Sequence, residues 1–224
     1  MLPLKDNIRS TTRPVVTYII LGINIIVFFY ELSLGRHLDA FINQFGAVPY
    51  NLFNPAGFFS YIPLLTSMFV HANLMHIAGN MLFLWIFADN IEDRVGHIMF
   101  IFFYITCGIA GTMLHSLATP ASKIPMVGAS GAISGVLGAY ILLYPRARIA
   151  ALIPLGFFLR VMQLPAYVFL GVWFFMQFLF SISSLRTPGG GVAYLAHVGG
   201  FLAGLLWALP YKFTKRKYFE YKIS

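Results

Sequence analysis

Six apolar stretches, at roughly 15–33, 64–88, 98–117, 127–144, 165–183 and 194–210, punctuate this chain, each near the length of a membrane crossing. A hydrocarbon core of about 30 Å takes about 20 helical residues to cross. Backbone polar groups in lipid must be satisfied within the crossing segment, so runs of this length form helices. Composition agrees: 59% of residues are hydrophobic and 10% charged, against about 45–50% and about 25% in soluble domains. The expected fold class is an all-α membrane protein, a six-transmembrane-helix bundle. Residues 15–210 form the membrane domain, between a polar tail (1–14) and a basic tail (211–224). The apolar stretch 149–159 is about half the required length and lies between Arg148 and Arg160. It reads as an interfacial or buried hairpin rather than a seventh crossing. The N-terminal tail is polar and no small-residue cleavage site follows it, so the first span is read as retained.

Basic residues set the orientation. The net charge of +8 could suggest a nucleic-acid partner, but the bases cluster in short segments between apolar runs, the pattern of a topology signal. With the N-terminus inside, cytoplasmic segments hold Lys5, Arg9, Arg13, Arg94, Arg146, Arg148, Arg160, Lys212, Lys215, Arg216, Lys217 and Lys222. Outer loops hold Arg36, Lys123 and Arg186. Both termini are therefore expected in the cytoplasm, with the lipid bilayer as partner and no nucleic acid. The single cysteine, Cys107, excludes an intrachain disulfide.

That orientation has a chemical consequence. Spans two, four and six all run from outside to inside. His71 and His76 fall early in span two, Ser130 in the first turn of span four, and His197 in the first turn of span six. These polar groups share the outer half of the bilayer, where burial is costly and marks function by default. Span four carries Gly128, Gly131, Gly135 and Gly138, and span six carries Gly199, Gly200 and Gly204. Small residues four apart let helix backbones approach closely in lipid. His197 shares its face with Gly200, Gly204 and Ala208, and Ser130 shares one with Ser134 and Gly138. Packing those two stripes together would bring Ser130 to His197.

A serine hydroxyl becomes a nucleophile when an adjacent base takes its proton, and neutral histidine suits that role. The oxyanion of a tetrahedral intermediate also needs donors. His76, Asn80 and Asn73 lie on one side of span two and are candidates, with the Ser130 backbone N–H at a helix start. A third, carboxylate member of a triad is absent, because none of the seven acidic residues falls in the outer half of spans two to six. A Ser–His dyad is the economical reading. There is no His-Glu-x-x-His, and His71 and His76 are off one helix face, so no metal is expected. An aspartyl intramembrane protease would need two carboxylates within spans. His97 and His115 read as packed structural residues.

Hydrolysis needs water, and Thr66, Ser67, His71, Asn73 and Asn80 form a polar trail suited to a wet pocket open to the outside. Residues 187–191 read as a loop able to gate it, and the aromatic loop 34–63 as a partly embedded interfacial element.

At His71-Ala-Asn73-Leu-Met-His76-Ile-Ala-Gly-Asn80, Gly128-Ala-Ser130-Gly131 and Ala196-His197-Val-Gly199-Gly200 the chain resembles the rhomboid family of intramembrane serine proteases. The resemblance covers nearly all six spans. It implies Ser130 as nucleophile, His197 as general base and acid, an oxyanion hole of His76, Asn80 and the Ser130 N–H, and a pocket shaped by His71. It implies no cofactor. Its expected substrates are single-span membrane proteins, cut near the outer end of their helix, with span five and the loop after it as a lateral gate. Glu92 with Gly96 resembles a structural loop feature of the family. Two departures stand out. Ile62-Pro63 occupies the place of a Trp-Arg pair that fixes the first loop. Ser134 stands where an aromatic often stacks on the imidazole, so another group, such as the Ser134 hydroxyl, must hold the ring. The alternative function is a non-catalytic rhomboid-like binder of membrane helices, although such proteins typically lose the serine or histidine. A small transporter would need ionisable groups at the midplane, which are missing. The compact form favours a prokaryotic plasma membrane, with the active site facing outward.

Overall fold

A computed structural model of the chain describes residues 1–155, 158–184, 192–213 and 219–220. In chain order the elements are β1 (Leu2–Asp6), β2 (Ile8–Arg9), α1 (Val15–Ser33), α2 (Leu38–Phe45), α3 (Pro49–Phe53), α4 (Pro63–Thr66), α5 (Leu74–Val95), α6 (His97–Ala118), α7 (Ser130–Leu143), β3 (Arg148–Leu155), β4 (Phe158–Pro165), α8 (Ala166–Ser184), α9 (Tyr194–Lys212) and β5 (Phe219–Glu220). Among the described residues, α1, α5, α6, α8 and α9 are long and apolar enough to cross a membrane. The chain is a multi-pass integral membrane protein with an all-α membrane part.

Two of the six expected spans need correction. The fourth, expected over 127–144, is a helix of 14 residues, about 21 Å long at 1.5 Å per residue, too short to cross by itself. Its surroundings explain this: residues 131–140 are buried without a break. A helix that meets protein on every side has no lipid thickness to match. Gly128 (φ +117) turns the chain into it, and Pro145 follows its C-cap Tyr144, where a helix cannot readily continue. The second span, expected from 64, begins as a helix only at Leu74. There the Asn73 side chain accepts a hydrogen bond from the His76 N–H at 2.9 Å and caps the first turn. The helix ends at Gly96 (φ +87), a conformation natural to glycine.

Where a hairpin is expected, Arg148–Leu155 and Phe158–Pro165 pair antiparallel within a small sheet ordered β1-β3-β4. Leu2 stands opposite Leu152, Asp6 opposite Ile149, and Arg148 opposite Pro165. The register slips between Pro3 and Lys5, next to a residue with no N–H to give the ladder. The sheet follows the C-terminus of α7 and precedes α8, so it lies at the end of the bundle away from Ser130.

That end is tied together by carboxylates. Glu92, fully buried, accepts hydrogen bonds from the Val16 N–H (2.9 Å), the Thr17 N–H (2.7 Å) and the Thr17 hydroxyl (2.6 Å), and also meets His97 Nδ1. It thereby takes up two of the N–H groups left unpaired at the start of α1, while joining α5 to α6. The structural reading of Glu92 and Gly96 follows from this geometry, whereas His97, expected to be packed, is about half exposed and is held by Glu92 alone among the described residues.

Asp6 is buried where β1 meets the bundle and accepts hydrogen bonds from Asn90 Nδ2 (2.9 Å) and the Tyr140 hydroxyl. Burial pushes its carboxyl up to about 7 from an ordinary 3.8, against the lowering effect of the Tyr140 bond. The folded chain thus holds this proton more tightly than the unfolded chain. The resulting stabilisation of β1 is full below about 3.8 and is lost as the pH rises through about 7. Amide exchange of β1 is expected to quicken between pH 5 and 8 beyond its intrinsic rate. Asp6→Asn should flatten that trend, and an unchanged trend would contradict the assignment.

Candidate active site

α5, α7 and α9 begin at the same end of the bundle, and their first turns carry the polar residues singled out by the sequence. α7 and α9 touch along their glycines. A Cβ on Gly200 would overlap the Gly131 carbonyl oxygen, one on Gly204 that of Gly135, and one on Gly138 that of Phe201. The two backbones are therefore in direct contact, and the first turn of each meets the other. There the Ser130 hydroxyl and His197 Nε2 lie 2.8 Å apart, at hydrogen-bond distance. His197 is largely buried, and Ser130 remains half-buried.

His76 and Asn80 stand beside Gly128, two residues before Ser130. A Cβ on Gly128 would lie 2.6 Å from the His76 imidazole and 3.5 Å from Asn80 Nδ2, so only glycine fits before Ala129-Ser130. Among the described residues, Asn80 Nδ2 is buried without a hydrogen-bond partner, a costly state for an amide donor. The Gly128 N–H donates to the Ser67 carbonyl at 2.8 Å and holds the approach to Ser130. A cavity of about 30 Å³ reaches Ser130, Gly128, Ser67 and Thr112, room for about one or two water molecules.

The remaining candidates have different neighbours. Asn73 caps α5 with its side-chain oxygen. His71 is buried, with Nδ1 3.3 Å from the Phe69 carbonyl and its ring 5.1 Å from that of His76. The His71 backbone N–H donates to the Glu31 carboxylate at 3.1 Å, which ties it to α1. Thr66 is spent on the Phe45 carbonyl (2.8 Å), so the polar trail is broken at its start. The gating segment 187–191 lies outside the described residues.

Both departures from the family pattern are compensated. The first loop is fixed by backbone pairing of Ala47 with Met126 (2.9 and 2.8 Å) and by the Tyr50 N–H on the Ser122 carbonyl (2.9 Å). The Ser134 hydroxyl does not hold the imidazole; it donates to the Ser130 carbonyl at 2.6 Å. The ring lies instead against Trp173 (centroids 6.0 Å) and Tyr194 (6.1 Å), with Nδ1 2.8 Å from Gln177 Oε1. Gln177 was not among the sequence candidates. The signal was a lone amide in α8, four residues after Trp173 and so on its face; a search for carboxylates passes over it.

A helical membrane protein with a serine and a histidine in hydrogen-bond contact between two packed helices is thereby defined. The family model described as "Rhomboid domain" matches residues 59–212. The chain is 31% identical over 198 residues to Rhomboid protein 1, mitochondrial, of Saccharomyces cerevisiae, covering 85% of this chain and 51% of that protein. It is 31% identical over 201 residues to Rhomboid protease GluP of Bacillus subtilis (88% and 36%). It is 30% identical over 165 residues to the human Presenilin-associated rhomboid-like protein, mitochondrial (70% and 40%). The chain belongs to the rhomboid family of intramembrane serine proteases. It spans about half or less of the length of these relatives.

Proposed function

We propose that this chain is an intramembrane serine endopeptidase that cuts single-span membrane proteins near one end of their helix. The observation that carries this is the 2.8 Å hydrogen bond from Ser130 to His197 Nε2. As Ser130 Oγ attacks the scissile carbonyl carbon, its proton passes to Nε2. The C–O bond forms and the carbonyl π pair moves onto oxygen. The oxyanion is received by Asn80 Nδ2, His76 and the Ser130 N–H, which as the first of α7 has no partner in its own helix. Collapse breaks the C–N bond, and the imidazolium gives its proton to the leaving amine. Water, deprotonated by the same nitrogen, then attacks the acyl carbon, and the C–Oγ bond breaks as the imidazolium returns its proton to the Ser130 oxygen. Gly131 lines the cavity at Ser130, and His71 supports it from behind, its ring 5.1 Å from that of His76.

The charge distribution supports both termini in the cytoplasm and Ser130 toward the outer face. Residues 1–14 and 211–224 then flank the membrane domain on that inner side.

A fluorophosphonate reagent is expected to label the wild-type protein and to leave Ser130→Ala unlabelled. Labelling of both, or of neither, would refute the reading. Asn80→Ala removes one oxyanion donor and should lower kcat by about 10²–10³-fold with little change in KM. Steady-state cleavage of a reporter membrane protein measures it, and an unchanged kcat would remove Asn80 from the oxyanion hole.

A further inference from the structure

A neutral imidazole has two nitrogens and one proton, and a general base needs the lone pair on the nitrogen that faces its nucleophile. Nε2 faces Ser130. The proton must then sit on Nδ1, which points at α8, 2.8 Å from the amide oxygen of Gln177. That oxygen can only accept. It selects the Nδ1–H tautomer and fixes the rotation of the ring, as a carboxylate does in a triad. We propose that Gln177 is the positioning residue of the catalytic base, a neutral third member that holds His197 in the tautomer able to deprotonate Ser130.

The rest of α8 is arranged around this contact. Its inward stripe runs through Phe169, Leu170, Trp173, Phe174, Gln177 and Ser181 at three- and four-residue steps. Within it Trp173 lies over the His197 ring, and Phe174 stacks on Phe201 with centroids 4.4 Å apart. These apolar contacts locate Gln177 opposite Nδ1. An amide rather than a carboxylate suits a site inside a span, where an unpaired anion is costly. The cost is a weaker grip on the imidazolium that forms during reaction.

The inference rests on the protease reading, and its test separates the two. Gln177→Met keeps the side-chain length and removes the acceptor. It is expected to lower kcat by roughly 10- to 100-fold, the loss of one buried hydrogen bond, with KM within about twofold. The rate of Ser130 labelling by fluorophosphonate should fall in parallel. Gln177→Glu restores the acceptor and adds a charge that favours the imidazolium. It should recover much of the kcat lost in Gln177→Met and move the acid limb of kcat/KM to higher pH. Among the described residues, the other titratable groups around the ring are Tyr194 on α9, His76 on α5 and His115 on α6. They are the same in every variant, so a moved limb reports position 177. A Gln177→Met enzyme with wild-type kcat and labelling rate, or a Gln177→Glu enzyme with an unmoved acid limb, would overturn the inference and leave the protease reading intact. A wild-type chain that shows no Ser130-dependent labelling overturns both.

Discussion

Ser130→Ala is expected to slow cleavage of a membrane substrate in liposomes by at least about 10⁴-fold while leaving the fold intact. The substitution deletes one oxygen at the first position of α7. The backbone there is unaffected, since the Ser130 carbonyl still accepts from Ser134 and alanine favours a helix. The thermal midpoint in detergent should move by only a few degrees. His197→Ala should reduce cleavage as severely but cost more stability. It opens a hole beside Trp173 and Tyr194 and strips Gln177 of its partner. Because the two residues act as one unit, the double variant should be no slower than either single one. Losses that multiply would mean Ser130 and His197 contribute independently, and cleavage undiminished in either single variant would end the dyad assignment.

The parts of this site that were legible in the chain are those written in local pattern. Spans one, three, five and six appear within a residue or two of their helices, because an apolar run bounded by charges or Pro and Gly determines where lipid can be crossed. The pairing of Ser130 with His197 was readable because each heads a glycine stripe, and two such stripes have one close way to pack. What was not legible depends on neighbours distant in sequence. The short length of α7 follows from being enclosed by α5, α6 and α9, which no window along the chain reveals. The sheet needs Leu2–Asp6 to find a strand at Arg148–Leu155. The start of α5 was readable in principle, since Asn73 is a strong cap, but the apolar run before it masks the signal. Gln177 acquires its meaning only when α8 is laid against α9. An amide there is unremarkable until the second imidazole nitrogen is seen to need an acceptor.

The close approach that makes the dyad also predicts how to destroy it without touching either member. Gly200 is one turn beyond His197, and its missing Cβ is where the carbonyl oxygen of Gly131 lies, next to Ser130. The obstacle is backbone at the centre of the bundle, so no rotamer change can relieve it. Gly200→Val must lever α9 away from α7. A shift of about 1 Å takes the 2.8 Å contact between Ser130 and His197 beyond hydrogen-bonding range. Misplacement on that scale can cost about 10²-fold in rate. Overpacking a core typically costs about 1–3 kcal/mol, and a collision with backbone falls at or above the top of that range. Gly200→Val is therefore expected to lose both activity and several degrees of thermal midpoint, and Gly204→Val, one turn deeper against Gly135, to do the same. Gly22 on α1 and Gly171 on α8 are the controls, because a Cβ at either meets nothing within 4 Å among the described residues. Alanine there should be neutral or slightly stabilising, through helix propensity and a less mobile unfolded chain. If Gly200→Val melted and cleaved like Gly171→Ala, the contact between α7 and α9 could not be what brings Ser130 to its base.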